Sequence, residues 1–159
     1  MAGCFWVGSQ GVEWTWVDIQ PGQYERADNK MKRVITFGTF DVFHIGHLRI
    51  IERASALGDR LIVGVSTDEL NYSKKGKYPI YNEAERIQIV GSLRYVDECF
   101  LEESLEKKAD YIQRYKADAL VMGDDWRGRF DDLNTLCEVV YLPRTPSVST
   151  TAIIEKIRL

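Results

Sequence analysis

The two histidines of the chain, His44 and His47, lie in one tetrapeptide and are the side chains best suited to chemistry. Side chains three residues apart on a helical turn share a face, so both imidazoles can reach one ligand. The tetrapeptide follows a short apolar run and opens a helical segment. The unpaired N–H groups and dipole of a helix N-terminus favour an anion, and Gly46 permits a close approach to the backbone. The pattern predicts a phosphate site.

Two other interpretations of the histidine pair stay open. One histidine caps the helix while the other is a satisfied core residue, or the pair contributes to a zinc site. Zinc would need a third ligand, such as Asp41 or Asp125, and the spacing is not that of HExxH. Phosphate binding is favoured because ligand sites in α/β folds concentrate where strands end.

A second candidate anion site follows the last predicted strand. Arg144 and Thr145 precede Ser149 and Thr150, which open the final helix, so a guanidinium and several hydroxyls lie near another helix N-terminus. The alternative is a simple Ser/Thr cap. The turn Gly38–Asp41, which joins the first predicted strand to the first helix, offers the Thr39 hydroxyl and backbone N–H groups as further donors.

Acidic and basic segments follow two other strands. Asp125 and Trp126 come after the fourth strand, where a carboxylate is expected to bind ribose or base groups, help hold Mg²⁺, or cap a turn. Lys74, Lys75 and Lys77 form a predicted basic, glycine-containing loop after the second strand. An ammonium there can neutralise phosphate charge in a transition state, although such a run is often only solvated. No Cys or Ser nucleophile is backed by a base, which favours direct transfer between phosphates.

The elements that position these residues alternate between short apolar runs and amphipathic stretches. The predicted strands are Arg33–Gly38, Arg60–Ser66, Glu98–Leu101, Ala119–Gly123 and Glu138–Leu142. The predicted helices are His47–Leu57, Asn82–Arg94, Leu105–Lys116 and about Thr150–Arg158. This alternation predicts a single-domain α/β fold with a doubly wound, three-layer, Rossmann-like parallel sheet.

Length and charge limit the remaining classes of function. The chain has 159 residues, with residues 1–30 forming an irregular N-terminal extension, expected to be disordered or not native, and residues 31–159 the predicted nucleotide-binding catalytic domain. Lys plus Arg total 21 against 24 Asp plus Glu, which gives no basic field for nucleic acid. No apolar stretch is long enough to span a membrane, and no secretory signal is evident, so we expect a cytoplasmic protein.

Four blocks in order resemble the HxGH-type cytidylyltransferases. They cover Val34–His47 (VITFGTFDVFHIGH), Leu93–Glu98 (LRYVDE), Val121–Trp126 (VMGDDW) and Glu138–Thr151 (EVVYLPRTPSVSTT). The GDDW form is most similar to members that act on glycerol 3-phosphate. Ser147 stands where the family's RTxGxST block usually has Gly, and the first 30 residues are foreign to its compact members.

The resemblance implies that CMP is transferred from CTP to a small phosphorylated polyol, sn-glycerol 3-phosphate, giving CDP-glycerol and pyrophosphate. The family roles fall on catalytic, nucleotide-binding and acceptor-binding groups of residues. The catalytic group is His44, His47, Lys74 and Arg144. The nucleotide-binding group is Thr39, Phe40, Asp41, Gly46, Asp125, Thr145, Ser149 and Thr150, and the acceptor-binding group is Lys77, Arg94 and Trp126.

The resemblance also implies Mg²⁺ as a cofactor, without an assigned protein ligand, and a homodimer. Its product would feed teichoic acid or capsular polymer synthesis. Three rivals remain: a related nucleotidyltransferase that uses another phosphorylated alcohol or ATP, such as an FAD synthetase; a fragment of a class I aminoacyl-tRNA synthetase, which also carries a HIGH motif; and a non-catalytic nucleotide-binding regulatory module.

Overall fold

Five parallel strands form the single sheet of the computed structural model, which describes residues 31–146 and 149–157. The strands are β1 (Arg33–Gly38), β2 (Arg60–Ser66), β3 (Glu98–Glu102), β4 (Ala119–Gly123) and β5 (Glu138–Leu142). Their order in the sheet is β3-β2-β1-β4-β5. All five predicted strands are confirmed, with β3 one residue longer than expected. The predictions for residues 1–30, Ser147 and Arg158 lie outside the described residues.

The helices follow the predicted alternation. They are α1 (Ile45–Ser55), α2 (Asp68–Lys75), α3 (Glu83–Gly91), α4 (Lys108–Tyr115) and α5 (Thr150–Ile157). Two 3-10 helices, Asp124–Trp126 and Asp131–Thr135, follow β4. Helix α1 begins two residues earlier than predicted because His44 caps it, and α3 and α4 are shorter than predicted.

Helix α2 corrects the prediction of a basic loop after β2. Thr67 accepts a hydrogen bond from the Leu70 N–H, acidic residues occupy the first turn, and Gly76 ends the helix in the left-handed conformation. A hydroxyl cap, a first turn of acids and a C-terminal glycine are standard helix signals. Lys74 and Lys75 therefore lie in the last turn of a helix, and Lys77 follows it.

Two apolar layers cover the two faces of the sheet. Ile51 and Ala54 of α1 and Val90 of α3 pack with Val34 and its neighbours on one face. Residues of α4 and of the second 3-10 helix pack on the other face, against a set that includes Ile35, Phe37, Ile62, Leu120 and Met122. Alternate residues of β1 therefore point to opposite layers, as a sheet buried on both faces requires. The doubly wound, three-layer α/β prediction is confirmed.

The strand order reverses between β1 and β4, which pair directly although β2 and β3 come between them in sequence. In open α/β sheets the ligand crevice lies beyond the carboxyl ends of the strands at such a reversal. The segment 39–44 after β1 and the segment 124–126 after β4 are therefore the two walls of the expected crevice.

Candidate active site

His44 is the N-cap of α1, with extended backbone angles of φ −141° and ψ 172°. Its Nδ1 accepts a hydrogen bond from the Gly46 N–H at 3.0 Å. A neutral imidazole whose Nδ1 accepts carries its proton on Nε2. The capping interpretation is therefore correct for His44, and the same bond leaves the proton of the neutral ring on Nε2 as a donor.

His47 lies directly against His44 at the start of the helix. The two rings are stacked, with centroids 3.8 Å apart and an interplanar angle of 20°. Phe40 and Phe43 flank the His47 ring, with centroids at 5.5 and 5.6 Å. The His47 Nδ1 is buried and has no hydrogen-bond partner among the described residues. The structure therefore brings both histidines to one point, as their spacing predicts.

The two imidazoles are neutral near physiological pH. The pKa of His47 is lowered to about 4, mainly by burial and also by the neighbouring His44 and Arg144, against the opposing effect of Asp41. Burial and the Arg144 charge also lower the pKa of His44. A neutral Nε2–H still donates a hydrogen bond, so this pair can act on a phosphate oxygen without first taking up a proton.

The loop between β1 and α1 holds a strained backbone. Phe40 and Val42 have positive φ angles of 56° and 44°, unusual for residues other than glycine. The Phe40 ring is buried against Gly38, where an added Cβ would lie 2.8 Å from that ring. This close packing fixes the turn, and strain of this kind clusters at functional sites.

Arg86, a fully buried residue that sequence reasoning missed, joins this loop to the next strand. Its guanidinium donates to the carbonyl oxygens of Thr39 and Ser66, each at 2.7 Å, and to Tyr81 O at 2.9 Å. It also pairs with Asp68 in the first turn of α2 at 2.5 Å. The sequence offered one signal for a buried role, because Arg86 lies on the same face of α3 as the buried Val90. Arg86 is a positioning residue that fixes the carboxyl ends of β1 and β2.

Two predicted nucleotide-binding side chains have other partners. The Thr39 hydroxyl donates to the Asn71 Oδ1 at 2.6 Å, so it is not the free donor that the sequence suggested. Both carboxylate oxygens of Asp41 accept from backbone N–H groups, including those of Ile80 and Tyr81 at 2.9 and 3.0 Å. Asp41 therefore anchors the segment that follows Lys77 to the histidine loop.

The segment after β5 approaches the same crevice. Arg144 is largely exposed, and its Nη1 lies 3.9 Å from the Asp125 Oδ2. A Cβ at Gly123 would lie 2.4 Å from the Asp125 Oδ1, so the glycine makes room for this carboxylate. The positive charge of Arg144 contributes to the lowered pKa of both histidines. The structure thus brings together the predicted Arg144, Asp125 and histidine pair.

Hydroxyls at the start of α5 serve mainly as caps and anchors. The Ser149 Oγ accepts from the Ala152 N–H at 3.1 Å, and the Thr150 hydroxyl donates to the Asp41 carbonyl oxygen at 3.0 Å. The second contact fastens α5 to the histidine loop. Thr145 is half-buried between β5 and this helix.

The predicted acceptor residues fall in different places. Trp126 is half-buried at the end of the 3-10 helix after β4, stacked on Phe130 with centroids 5.6 Å apart. Arg94 instead stacks over the Tyr95 ring at 4.7 Å, and the Tyr95 hydroxyl donates to Glu52. Glu52 lies eight residues beyond His44, about 12 Å along a helix at ~1.5 Å per residue. The structure therefore does not bring Arg94 to the crevice of its own chain.

No metal centre is built into the described part of the chain. It contains no group of three or more His, Cys, Asp or Glu side chains placed to hold an ion. Asp41 is committed to backbone N–H groups, and Asp125 faces Arg144. These residues do not form a Mg²⁺ cage of their own.

The chain is similar to several known proteins. The profile of the family described as Cytidylyltransferase-like matches residues 35–156. Glycerol-3-phosphate cytidylyltransferase of Bacillus subtilis (strain 168) is 50% identical over 127 residues, covering 80% of this chain and 98% of that protein. An FAD synthase of Pyrococcus horikoshii is 33% identical over 141 residues, covering 82% of this chain and 95% of that protein.

The chain is also similar in fold to a solved structure. The lipopolysaccharide core biosynthesis protein of Thermoplasma volcanium GSS1 superposes with a TM-score of 0.62 at 26% identity, over 72% of this chain and 98% of that one. The family profile spans the histidine loop, the acidic turn and the Arg144 segment, which are the parts that the fold gathers at one crevice. The chain belongs to the cytidylyltransferase-like family.

Proposed function

We propose that this protein transfers CMP from CTP to sn-glycerol 3-phosphate, forming CDP-glycerol and pyrophosphate. The observation that carries the proposal is the stacked His44–His47 pair at the N-terminus of α1, with a proton fixed on the outer nitrogen of His44. The 50% identity to a glycerol-3-phosphate cytidylyltransferase over almost its full length supports the choice of substrates.

In the proposed reaction, a phosphate oxygen of glycerol 3-phosphate attacks the α-phosphorus of CTP. The new P–O bond forms opposite the β-phosphate, the bond between the α-phosphorus and the bridging oxygen breaks, and pyrophosphate leaves with that electron pair. A phosphate monoester is largely a dianion at neutral pH, because its second pKa is near 6. The nucleophile therefore needs no general base, which agrees with two histidines whose pKa values are lowered.

The side chains of the crevice have complementary roles in this proposal. The histidine pair donates hydrogen bonds to the α-phosphate as charge builds on its oxygens, and the α1 N-terminus adds its dipole. Arg144 neutralises the departing phosphates, with Lys74 and Lys77 on the opposite side. Asp125 accepts from the nucleoside, and the backbone of Thr39–Phe40 lines the floor.

Mg²⁺ is proposed to enter with the triphosphate. This ion is commonly held by substrate phosphates and few protein ligands, which agrees with the absence of a carboxylate cage among the described residues. When bound, it would neutralise charge on the phosphate oxygens.

We propose that the protein forms a homodimer in which Arg94 of one copy acts on the site of the other. Its guanidinium is exposed on Tyr95, away from the crevice of its own chain. In a second copy it could complete an acceptor site. Light scattering of the purified protein, with Arg94→Ala beside the wild type, tests whether the chain pairs and whether this residue contributes.

FAD synthesis is the alternative function that one observation favours. An FAD synthase is also similar over most of the chain, at the lower identity of 33%. A substrate panel separates the two. Purified protein is given CTP or ATP with glycerol 3-phosphate, FMN or other phosphorylated alcohols, and pyrophosphate release is measured.

We expect turnover only with CTP and glycerol 3-phosphate. Activity confined to ATP and FMN would replace this proposal with the alternative. Tight CTP binding without pyrophosphate release from any acceptor would instead indicate a regulatory nucleotide-binding module.

The described helices include none long and apolar enough to cross a membrane. Both substrates in the proposal are water-soluble and highly charged, so the proposed reaction does not require a membrane-spanning helix.

A further inference from the structure

Asn71 is a fully buried amide on α2 that contacts the histidine loop. Its side chain is 1% exposed, and Leu70 is the only other buried residue of this helix. The rest of α2 is half-buried or exposed, so the packing of an apolar face contributes little to its position. A buried amide is costly unless it is hydrogen-bonded, so the partners of Asn71 indicate what it does.

The two hydrogens of the Asn71 amide point to backbone carbonyl oxygens that also have other donors. Nδ2 donates to Ser66 O at 3.2 Å and to Thr67 O at 2.8 Å. Ser66 O accepts in addition from Arg86 at 2.7 Å, and Thr67 O accepts from the backbone N–H of residue 71 at 3.1 Å. Both carbonyl oxygens therefore stay paired without the Asn71 side chain. The two bonds serve mainly to fix the orientation of the amide.

This orientation leaves the Asn71 Oδ1 as an acceptor for the Thr39 hydroxyl. The two oxygens are 2.6 Å apart, and the hydroxyl is the donor because an amide oxygen carries no hydrogen. Within the described part of the chain this is the one hydrogen bond of that hydroxyl. Loss of the Asn71 side chain therefore takes the partner from a single polar group, and that group belongs to the histidine loop.

Thr39 stands directly before the strained part of the histidine loop. The next residue, Phe40, has a φ of 56°, and its ring centroid lies 5.5 Å from that of His47. A strained backbone persists only where the surrounding structure over-determines it. The carbonyl oxygen of Thr39 is held by Arg86 at 2.7 Å and its hydroxyl by Asn71. Two buried side chains thus fix the residue on which the strained turn begins.

We infer that Asn71 is a positioning residue, which holds the turn at Phe40 through the Thr39 hydroxyl and thereby aligns His47. The inference rests on the proposed function, in which the histidine pair acts on the α-phosphate. Asn71 touches no substrate in this proposal. Without its side chain the turn is less constrained, so the two stacked imidazoles are aligned for a smaller fraction of the time. Transition-state stabilisation is then lost, while the other side chains of the crevice still bind both substrates.

Steady-state kinetics of Asn71→Ala test the inference. With CTP and glycerol 3-phosphate, we expect kcat to fall at least ~10-fold and both KM values to stay within about threefold, the pattern of an interaction made in the transition state. Asn134→Ala is the matched control. Asn134 also bonds two backbone groups, Asp131 O and the Val139 N–H, but Val139 lies near the amino end of β5, away from the crevice. An Asn71→Ala kcat equal to that of Asn134→Ala would overturn the inference.

Thr39→Val tests whether Asn71 acts through the hydroxyl. Valine keeps the β-branched shape and removes the hydroxyl, so the contact is lost without a cavity in α2. If both residues act through this one hydrogen bond, the double variant with Asn71→Ala has a kcat close to that of the slower single variant. Losses in kcat that multiply in the double variant would contradict the path through Thr39.

The titration of His47 gives a readout that does not depend on activity. Proton NMR follows the imidazoles of the two histidines, and His44→Asn assigns them. Burial is the main cause that lowers the pKa of His47 to about 4. In Asn71→Ala and Thr39→Val we expect this pKa to rise toward 6.5, because a looser turn admits water to the ring, and in Asn134→Ala we expect no change.

This readout separates failure of the inference from failure of the proposed function. A raised His47 pKa in Asn71→Ala, beside a wild type that transfers CMP to no acceptor, would support the positioning of the histidine pair and overturn only the proposed function. A lower Tm of Asn71→Ala with a wild-type kcat and an unchanged His47 pKa would show a purely structural role for Asn71, which would overturn the inference.

Discussion

The sequence predicts which side chains act together where a rule on helix spacing applies. Two histidines three residues apart at a helix start must share a face, and the structure stacks their rings. The partners of buried polar groups were not readable, because they come from distant parts of the chain. Arg86 contacts Thr39, 47 residues away, and Lys108 pairs with Glu102 across a strand end.

Replacement of Arg86 by Met is expected to destabilise the fold strongly. The change leaves the carbonyl oxygens of Thr39 and Ser66 and the Asp68 carboxylate without their donor. Breaking a buried ionic network in this way costs about 3 kcal/mol or more. Urea unfolding measures the loss. Arg49→Met, on the exposed side of α1, is the control and should change stability by less than ~0.5 kcal/mol; equal effects of the two substitutions would contradict the role of Arg86.

The lowered pKa of His47 predicts a stability that depends on acidity. The unfolded chain takes up a proton near pH 6.5, whereas the folded protein does so only near pH 4. The stabilisation is therefore complete above pH 6.5 and is lost as the pH falls through this range. We expect the free energy of unfolding to decrease from pH 7 to pH 4.5, and to decrease less in His47→Gln. Parallel curves for the two proteins would show that His47 does not titrate as described.

At the scale of elements, strands were predicted better than helix ends. Each strand is a short apolar run with Gly, Asp or Pro at or beside at least one of its ends, which leaves little freedom in where it begins and ends. Helix α2 was missed because its sequence, DELNYSKK, is polar and has no apolar period to detect. Its caps were nevertheless present in Thr67 and Gly76, so terminal signals carried the information that periodicity lacked.

The end of α2 offers a test of this capping argument. Gly76 has a φ of +65°, and a Cβ added there would meet no atom within 4 Å, so Gly76→Ala adds backbone strain without a clash. We expect a loss of about 1 kcal/mol in the free energy of unfolding. Gly91→Ala is the matched control, because its Cβ would make an ordinary contact of 3.7 Å with Cys99. A stability at least equal to that of the wild type is expected there, and an equally stable Gly76→Ala would contradict the argument.

For the whole molecule, the topology explains why distant motifs act together. The sheet order β3-β2-β1-β4-β5 places the strand reversal between β1 and β4, and each motif follows the end of a strand. The alternating elements predicted a doubly wound parallel sheet with ligand sites where its strands end, but not this strand order. Arg94 precedes β3 and so lies toward the amino end of that strand, whereas the crevice is at the carboxyl ends; the motif match alone suggested an acceptor role and not this placement.

The turnover of His44→Asn tests the central claim most directly. Asparagine can cap α1 as His44 does, by accepting from the Gly46 N–H, but its shorter side chain has no donor at the position of the imidazole Nε2. With CTP and glycerol 3-phosphate, the account predicts that His44→Asn and His44→Ala both lose at least ~100-fold in kcat, the effect of removing one transition-state donor. It also predicts that His44→Asn keeps a near wild-type Tm. A His44→Asn variant that is stable and releases pyrophosphate within a few-fold of the wild-type rate would contradict the account.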